Sequence, residues 1–175
     1  MDQDLTQDLQ GQVRAAAAAG TPLNLCGAGS KPFIGRAASG TPLDLADHTG
    51  IVNYHPKELV LTARGGTGLD AIAAALAEHG QALPFEPPRL GHGATLGGTI
   101  ACGLSGPARP YAGAARDFVL GTRVLTGRGE VLRFGGEVMK NVAGYDISRL
   151  MTGAMGTLGV LLEASLKVLP VAAAE

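Results

Sequence analysis

The chain has 175 residues, near the size of one domain, so one compact body or two small lobes is expected. Hydrophobic residues at 46% against 17% charged supply a core and exclude a disordered chain. A formal net charge of -1, 4% aromatic residues and no Trp exclude a basic nucleic-acid binder and argue against base-stacking platforms or aromatic cages.

Leu5, Leu9 and Val13 share one helix face, so a helix is expected over 5–19, stopped by Gly20. Residues 22–26 are short, apolar and bounded by Pro and Gly, the pattern of a buried strand. They run straight into Gly27-Ala28-Gly29-Ser30-Lys31. Further strands are expected over 41–45 and 58–63. The clearest helix covers 69–79, with Thr67 as N-cap and Asp70 completing a capping-box variant. Its apolar face is Leu69, Ile72, Ala73 and Leu76, and Gly80 closes it. The Pro- and Gly-rich stretch 84–98 is longer than ordinary connections, so it is functional or covers something. Residues 118–125 and 130–134 flank Thr126-Gly127-Arg128-Gly129, a hairpin signal. A short helix over 146–152 places Ile147, Leu150 and Met151 on one side. Alternation from Val160 to Val168 then predicts a long strand with one buried face, ended by Pro170. The fold class is α+β, with a small α/β lobe over about 1–85 and an antiparallel α+β lobe over about 95–170.

The N-terminus is acidic and polar, unlike a signal peptide, and no apolar run reaches the roughly 18 residues that span a bilayer. Cys26 and Cys102 form no CxxC pair, which fits a reducing, cytosolic compartment and excludes a disulfide framework. His48, His55, His79 and His92 lack zinc-ligand spacing.

The chain holds 27 Gly and 10 Pro without a collagen period, so tight turns or backbone pressed against a ligand are expected. Three stretches concentrate the glycines. In Gly27-Ala28-Gly29-Ser30-Lys31, successive amides can converge on a phosphate; Ser30 can add a hydrogen bond, and Lys31 either adds charge or is merely solvated. A plain strand-to-turn glycine run explains it as well. Two familiar phosphate motifs fail: Lys31 follows Ser30 and precedes Pro32, against GxxxxGK[ST], and Pro32 also breaks GxGxxG. Over 94–106 small residues fill almost every position, so either a flat ligand lies against the backbone near Thr99 and Ser105, or the stretch is a crossover. Gly153 to Gly159 reads equally as a ligand turn or as a helix cap with a bulge.

Taken in order, CGAGSKPFIG (26–35), LGHGATLGGTIACGLSGP (90–107), KNVAGYD (140–146) and GTLGVLLEASLKVLP (156–170) resemble the FAD-binding, PCMH-type domain of the vanillyl-alcohol oxidase superfamily. Within that superfamily the chain is most similar to the FAD-binding subunits of bacterial glycolate oxidases. The resemblance implies a two-lobed fold with FAD between the lobes. Gly27, Ala28, Gly29, Ser30 and Lys31 would hold the pyrophosphate. Thr95, Gly97, Gly98, Ala101, Cys102, Gly103 and Ser105 would run beside the pyrophosphate, ribityl chain and isoalloxazine. Gly156, Leu158, Gly159 and Val160 would approach the adenine end. Arg109, with Tyr111, would stand where a cation stabilises anionic reduced flavin.

Ser30 stands where some members carry a His that attaches FAD covalently, so non-covalent FAD is expected. Gly153-Ala154-Met155 replaces the common Gly-Ser-Glu, which removes two polar groups. Family members continue into a cap domain after the position of Pro170, so the expectation is a cofactor domain without its cap. No general base is assigned to any of the four histidines. The implied activity is that of an FAD-dependent oxidoreductase on CH–OH groups of glycolate or a similar 2-hydroxy acid. Electrons would pass to other glycolate oxidase subunits, an iron–sulfur protein among them, on the inner membrane's cytoplasmic side. The other reading is a non-catalytic FAD-binding electron-transfer or assembly subunit. Gly97→Val and Gly98→Val are both expected to weaken FAD binding more than folding.

Overall fold

The computed structural model describes residues 2–90, 93–137 and 144–172; His92 and residues 140–143 of the KNVAGYD stretch lie outside them. Helix α1 (Thr6–Ala19) starts where the Thr6 amide donates to Asp4 Oδ1 at 2.9 Å, and it stops at Gly20, whose φ is 63°. Leu9 and Val13 form its buried stripe, as their spacing requires. Strands β1 (Leu23–Cys26) and β2 (Thr41–Asp44) pair in parallel. Leu9, Val13 and Leu43 pack with Leu125, Val160 and Leu162, which seats this small α/β unit on the main sheet.

That sheet joins β3 (Ile51–His55), β4 (Val60–Arg64), β6 (Val119–Leu125), β7 (Val131–Gly135) and β8 (Val160–Lys167) in the order β3-β4-β8-β6-β7, all antiparallel. The β6–β7 hairpin is the one its turn residues predict. Strand β3 was not anticipated, and β4 starts two residues late because Pro56–Glu58 forms a 3-10 turn closed by Leu59 at φ 57°. The sheet also crosses the lobe boundary expected between residues 85 and 95. Leu61 and Ala63 of β4 face Leu166 and Ala164 of β8, so strands from both sides of that boundary share one hydrogen-bonded ladder. The α+β class stands, with the small parallel unit ending near β2.

Strand β8 is central, so both of its faces are buried rather than one. Its polar positions are satisfied inside. Ser165 Oγ lies 2.8 Å from Thr62 Oγ1, and Glu163 accepts from Arg123 at 2.6 Å and Arg133 at 3.3 Å. Helix α2 (Leu69–Ala77) buries Leu69, Ile72 and Leu76, but its N-cap is Gly68. Thr67 makes no capping box because its hydroxyl accepts from the Gly50 amide and donates back to the Gly50 carbonyl. The end of the expected 84–98 loop is already helical: α3 spans Leu96–Cys102. Short β5 (Gln81–Ala82) and β9 (Leu169–Pro170) pair beyond it, and α4 (Arg109–Ala112) leads into β6. In α5 (Ile147–Met151), Asp146 caps the Arg149 amide at 3.0 Å, and Met151 is buried, but Leu150 is 57% exposed rather than facing the core. No helix among the described residues is long and apolar enough to cross a membrane.

His48 ties the N-terminus to the sheet. It is fully buried, and its Nδ1 accepts from the Leu5 amide at 3.0 Å. Burial holds its pKa below the ordinary value of 6.5; Asp4 pulls it up, while Arg64 pushes it further down. An imidazole that stays neutral when folded binds fewer protons than the unfolded chain below about pH 6.5. Stability is therefore complete above that pH and falls as pH drops toward the folded-state pKa. Asp4 is lowered chiefly by hydrogen bonding from Thr6, so it acts only at still lower pH. The urea midpoint should decline as pH falls below about 6.5 in the natural chain. His48→Asn, which keeps an acceptor for Leu5, should flatten that decline; an unchanged slope would remove His48 as its source.

Candidate functional site

The three glycine segments meet around α3. A Cβ on Gly27 would stand 3.0 Å from Thr95 Oγ1, so the loop after β1 abuts the start of α3. At the other end of α3, the amides of Gly153 and Met155 donate to the carbonyls of Ile100 and Ala101 at 3.0 and 2.9 Å. A Cβ on Gly103 would lie 3.0 Å from Gly153 Cα, and one on Gly156 would lie 2.7 Å from Leu25 Cδ1 in β1. The turn over 153–156 thus touches both α3 and the strand that feeds the first glycine loop.

Within this cluster some groups remain available. Among the described residues, no backbone carbonyl takes the amides of Gly27, Ala28, Gly29, Ser30 or Lys31. Ala28 and Gly29 are exposed, and a Cβ on Gly29 would find nothing within 4 Å. Lys31 Nζ donates to Ser30 Oγ at 3.3 Å. Gly98, Ala101, Cys102 and Gly103 are half-buried along α3. A loop of unpaired amides beside bare helix backbone can accept an anionic group and a flat body next to it, without a side chain in the way.

Other expected residues serve the fold. The Thr95 hydroxyl caps α3 by accepting from the Gly98 amide at 3.3 Å. The Gly97 amide donates to the Gly65 carbonyl at 2.7 Å, and a Cβ there would stand 3.0 Å from the same oxygen. So Gly97 and Gly98, expected to behave alike, differ: one is pinned against backbone, and the other meets only Thr95 Oγ1 at 3.2 Å. Ser105 Oγ accepts from the Ala115 amide at 2.9 Å. Gly159 backs onto the Leu125 carbonyl, and the Val160 side chain lies in the core with Leu9 and Val13. Leu158, Arg109 and Tyr111 are exposed, and none of the approaches that join the glycine segments involves Arg109, Tyr111 or Ser105.

Sequence reasoning passed over Gly65-Gly66-Thr67-Gly68. This turn clasps the start of α3, because the Leu96 amide donates to Thr67 O at 2.9 Å and the Leu69 amide to Ala94 O at 2.8 Å. The same density of small residues that marked the other segments was present here. The described histidines stand elsewhere: His48 is in the core, His55 Nε2 lies 2.9 Å from Asn53 Nδ2, and the His79 ring packs edge-on to Tyr54. A groove of about 450 Å³ between α2 and residues 81–89 shares no lining residue with the glycine segments.

The family described as FAD binding domain matches residues 4–135. The chain is 60% identical to glycolate oxidase subunit GlcE of Escherichia coli (strain K12) over 167 residues, 95% of this chain and 48% of that protein. It is 33% identical to glycolate oxidase subunit GlcD of Bacillus subtilis (strain 168) over 151 residues, 86% of this chain and 31% of that protein. To a D-2-hydroxyglutarate dehydrogenase of Xanthomonas citri pv. viticola it is 34% identical over 117 residues, 67% of this chain and 25% of the relative. The chain spans about half the length, or less, of these curated relatives.

Proposed function

The chain belongs to the family of FAD binding domains, and from that premise we propose that it seats FAD along α3 as part of an oxidoreductase acting on glycolate or a similar 2-hydroxy acid. The observation that carries this reading is the meeting of the three glycine segments at one place, with the amides of residues 27–31 unpaired among the described residues. Those amides hold the pyrophosphate. Gly98, Ala101, Cys102 and Gly103 give the rest of the cofactor a surface free of bulky side chains, with Thr95 and Gly97 fixing the shape of that surface. Gly156, Leu158, Gly159 and Val160 contribute through backbone at the adenine side, since Val160 spends its side chain in the core. The family resemblance, not a contact with the glycine segments, adds Ser105 and Arg109 to this proposed site. Ser30 offers no nucleophile of the kind that anchors flavin, so FAD is held non-covalently.

When bound, FAD supplies the two-electron acceptor for a hydroxy-acid α-hydrogen. This chain's residues bind and orient it; the electrons pass on to other subunits of a glycolate-oxidising assembly, an iron–sulfur protein among them. The names of the relatives in Escherichia coli and Bacillus subtilis support the assembly and the substrate class. A second reading, FAD serving electron transfer or assembly without meeting substrate, is favoured by the placement of His48, His55 and His79 away from the glycine segments.

Titration of the folded chain with FAD should quench the free flavin fluorescence and give a bound visible spectrum. Acid precipitation should then release all the flavin to the supernatant. A folded chain that leaves the flavin spectrum unaltered would refute the reading, and flavin that stays with the pellet would refute non-covalent attachment. Anaerobic addition of glycolate separates the two roles: bleaching of the bound flavin favours the oxidoreductase, and a flavin reduced only by partner subunits favours the second.

A further inference from the structure

A bulky residue at the junction of the three glycine segments is Met155, 43% exposed. Its backbone is left-handed, at φ 53°, where side chains other than Gly and Asn are uncommon. A residue held in that region persists when its surroundings over-determine it. Here they do so from three sides. The Met155 amide donates to Ala101 O at 2.9 Å in the last turn of α3. The next residue, Gly156, lies so close to β1 that a Cβ there would stand 2.7 Å from Leu25 Cδ1, just before the first glycine loop. The Met155 Cε reaches across to the far side of that loop, 3.5 Å from where a Cβ on Gly35 would stand.

We infer that Met155 is a positioning residue that clamps the 27–36 loop in the conformation that aims its amides at the cofactor. Among the described residues, the far side of the loop shows few hydrogen bonds, with Ile34 half-buried. Ile34 donates to Lys31 O at 3.2 Å, while Phe33 is 69% exposed and Gly35 and Arg36 are exposed. An unbranched, polarizable side chain suits such a contact, since it fits an irregular surface. The part of the inference that concerns FAD rests on the cofactor reading above; the part that concerns the loop does not.

The test compares Met155→Gly and Met155→Leu with the natural chain. Met155→Gly relieves the left-handed backbone and removes the clamp. Thermal stability should therefore hold or rise, trypsin should nick the FAD-free chain after Arg36 about tenfold faster, and FAD affinity should fall about tenfold through lost preorganisation. Met155→Leu stays apolar but ends one atom short of the Cε, so it should recover both values in part, between those of Met155→Gly and the natural chain. Met155→Ala, which keeps the backbone class and shortens the side chain, gives the same two readouts should the glycine variant not fold. Nicking after Arg36 at the natural rate in the clampless variants would overturn the inference. If nicking rises and no variant, natural chain included, binds FAD, the clamp stands and the cofactor reading fails.

Discussion

Replacement of Gly66 by Ala is expected to remove a large part of the chain's folding stability. Gly66 does not have a positive φ, so the reason is space and not backbone freedom. A Cβ at this position would collide with the Leu45 carbonyl oxygen and stand 2.8 Å from both the Ala46 and His48 oxygens. All three are backbone atoms, which no rotamer change can move. To seat a methyl group, residues 45–48 would have to separate from residues 64–67. That breaks the Gly66 amide bond to His48 O at 2.9 Å and strains the Leu45 amide bond to Cys26 O at 2.8 Å, which sits beside the first glycine loop. It also opens the pocket of fully buried His48. The combined loss is more than about 4 kcal/mol, the upper end for one substitution. Domains of this size have about 5–15 kcal/mol in total. Soluble yield and the urea midpoint check it; an Ala variant with a midpoint near that of the natural chain would show that the 45–48 segment yields easily.

The same turn explains what the sequence could and could not reveal. Helix α1 and the β6–β7 hairpin were legible because their signals are local: an i, i+4, i+8 stripe and a four-residue turn between apolar runs. Helix α3 was not, since Gly97 and Gly98 lower helix propensity. It forms because Leu96 and Ile100 are buried and Gly65 and Thr67 supply carbonyls to its first amides. The lobe boundary failed for a related reason. The pairing of Thr62 with Ser165 spans 103 positions of sequence, and no local pattern encodes it. Glu163 and Ser165 alternate with apolar residues as a solvent face would, yet Arg123, Arg133 and Thr62 satisfy them inside. Composition picked out segments that meet around α3, but not their division of labour. Gly97 and Gly159 are small because backbone lies against them, whereas Gly29 faces open space.

Gly98→Ala isolates the ligand-facing share of that division. Gly98 lies inside α3 with helical φ, where Ala is favoured over Gly by about 1 kcal/mol. Its Cβ would meet only Thr95 Oγ1, at 3.2 Å, and that hydroxyl can shift by a few tenths of an ångström while keeping its bond to the residue 98 amide. The folded state should therefore be unharmed, with a melting temperature equal to or above that of the natural chain. For a cofactor seated along α3 as proposed, the new methyl group is an intrusion into a surface that fits without it. Overpacking of this kind costs about 1–3 kcal/mol, a loss of about five- to 150-fold in affinity. Gly97→Ala makes the contrast: its Cβ would stand 3.0 Å from Gly65 O and 3.1 Å from Gly65 Cα, so stability should fall by about 2 kcal/mol whether or not FAD is present. Fluorescence titration with FAD and thermal melts of both variants separate the two effects. A Gly98→Ala chain that binds FAD as tightly as the natural one would take α3 off the cofactor's path, and the glycines of 95–103 would then be there for the packing of Gly65 and Gly153 alone.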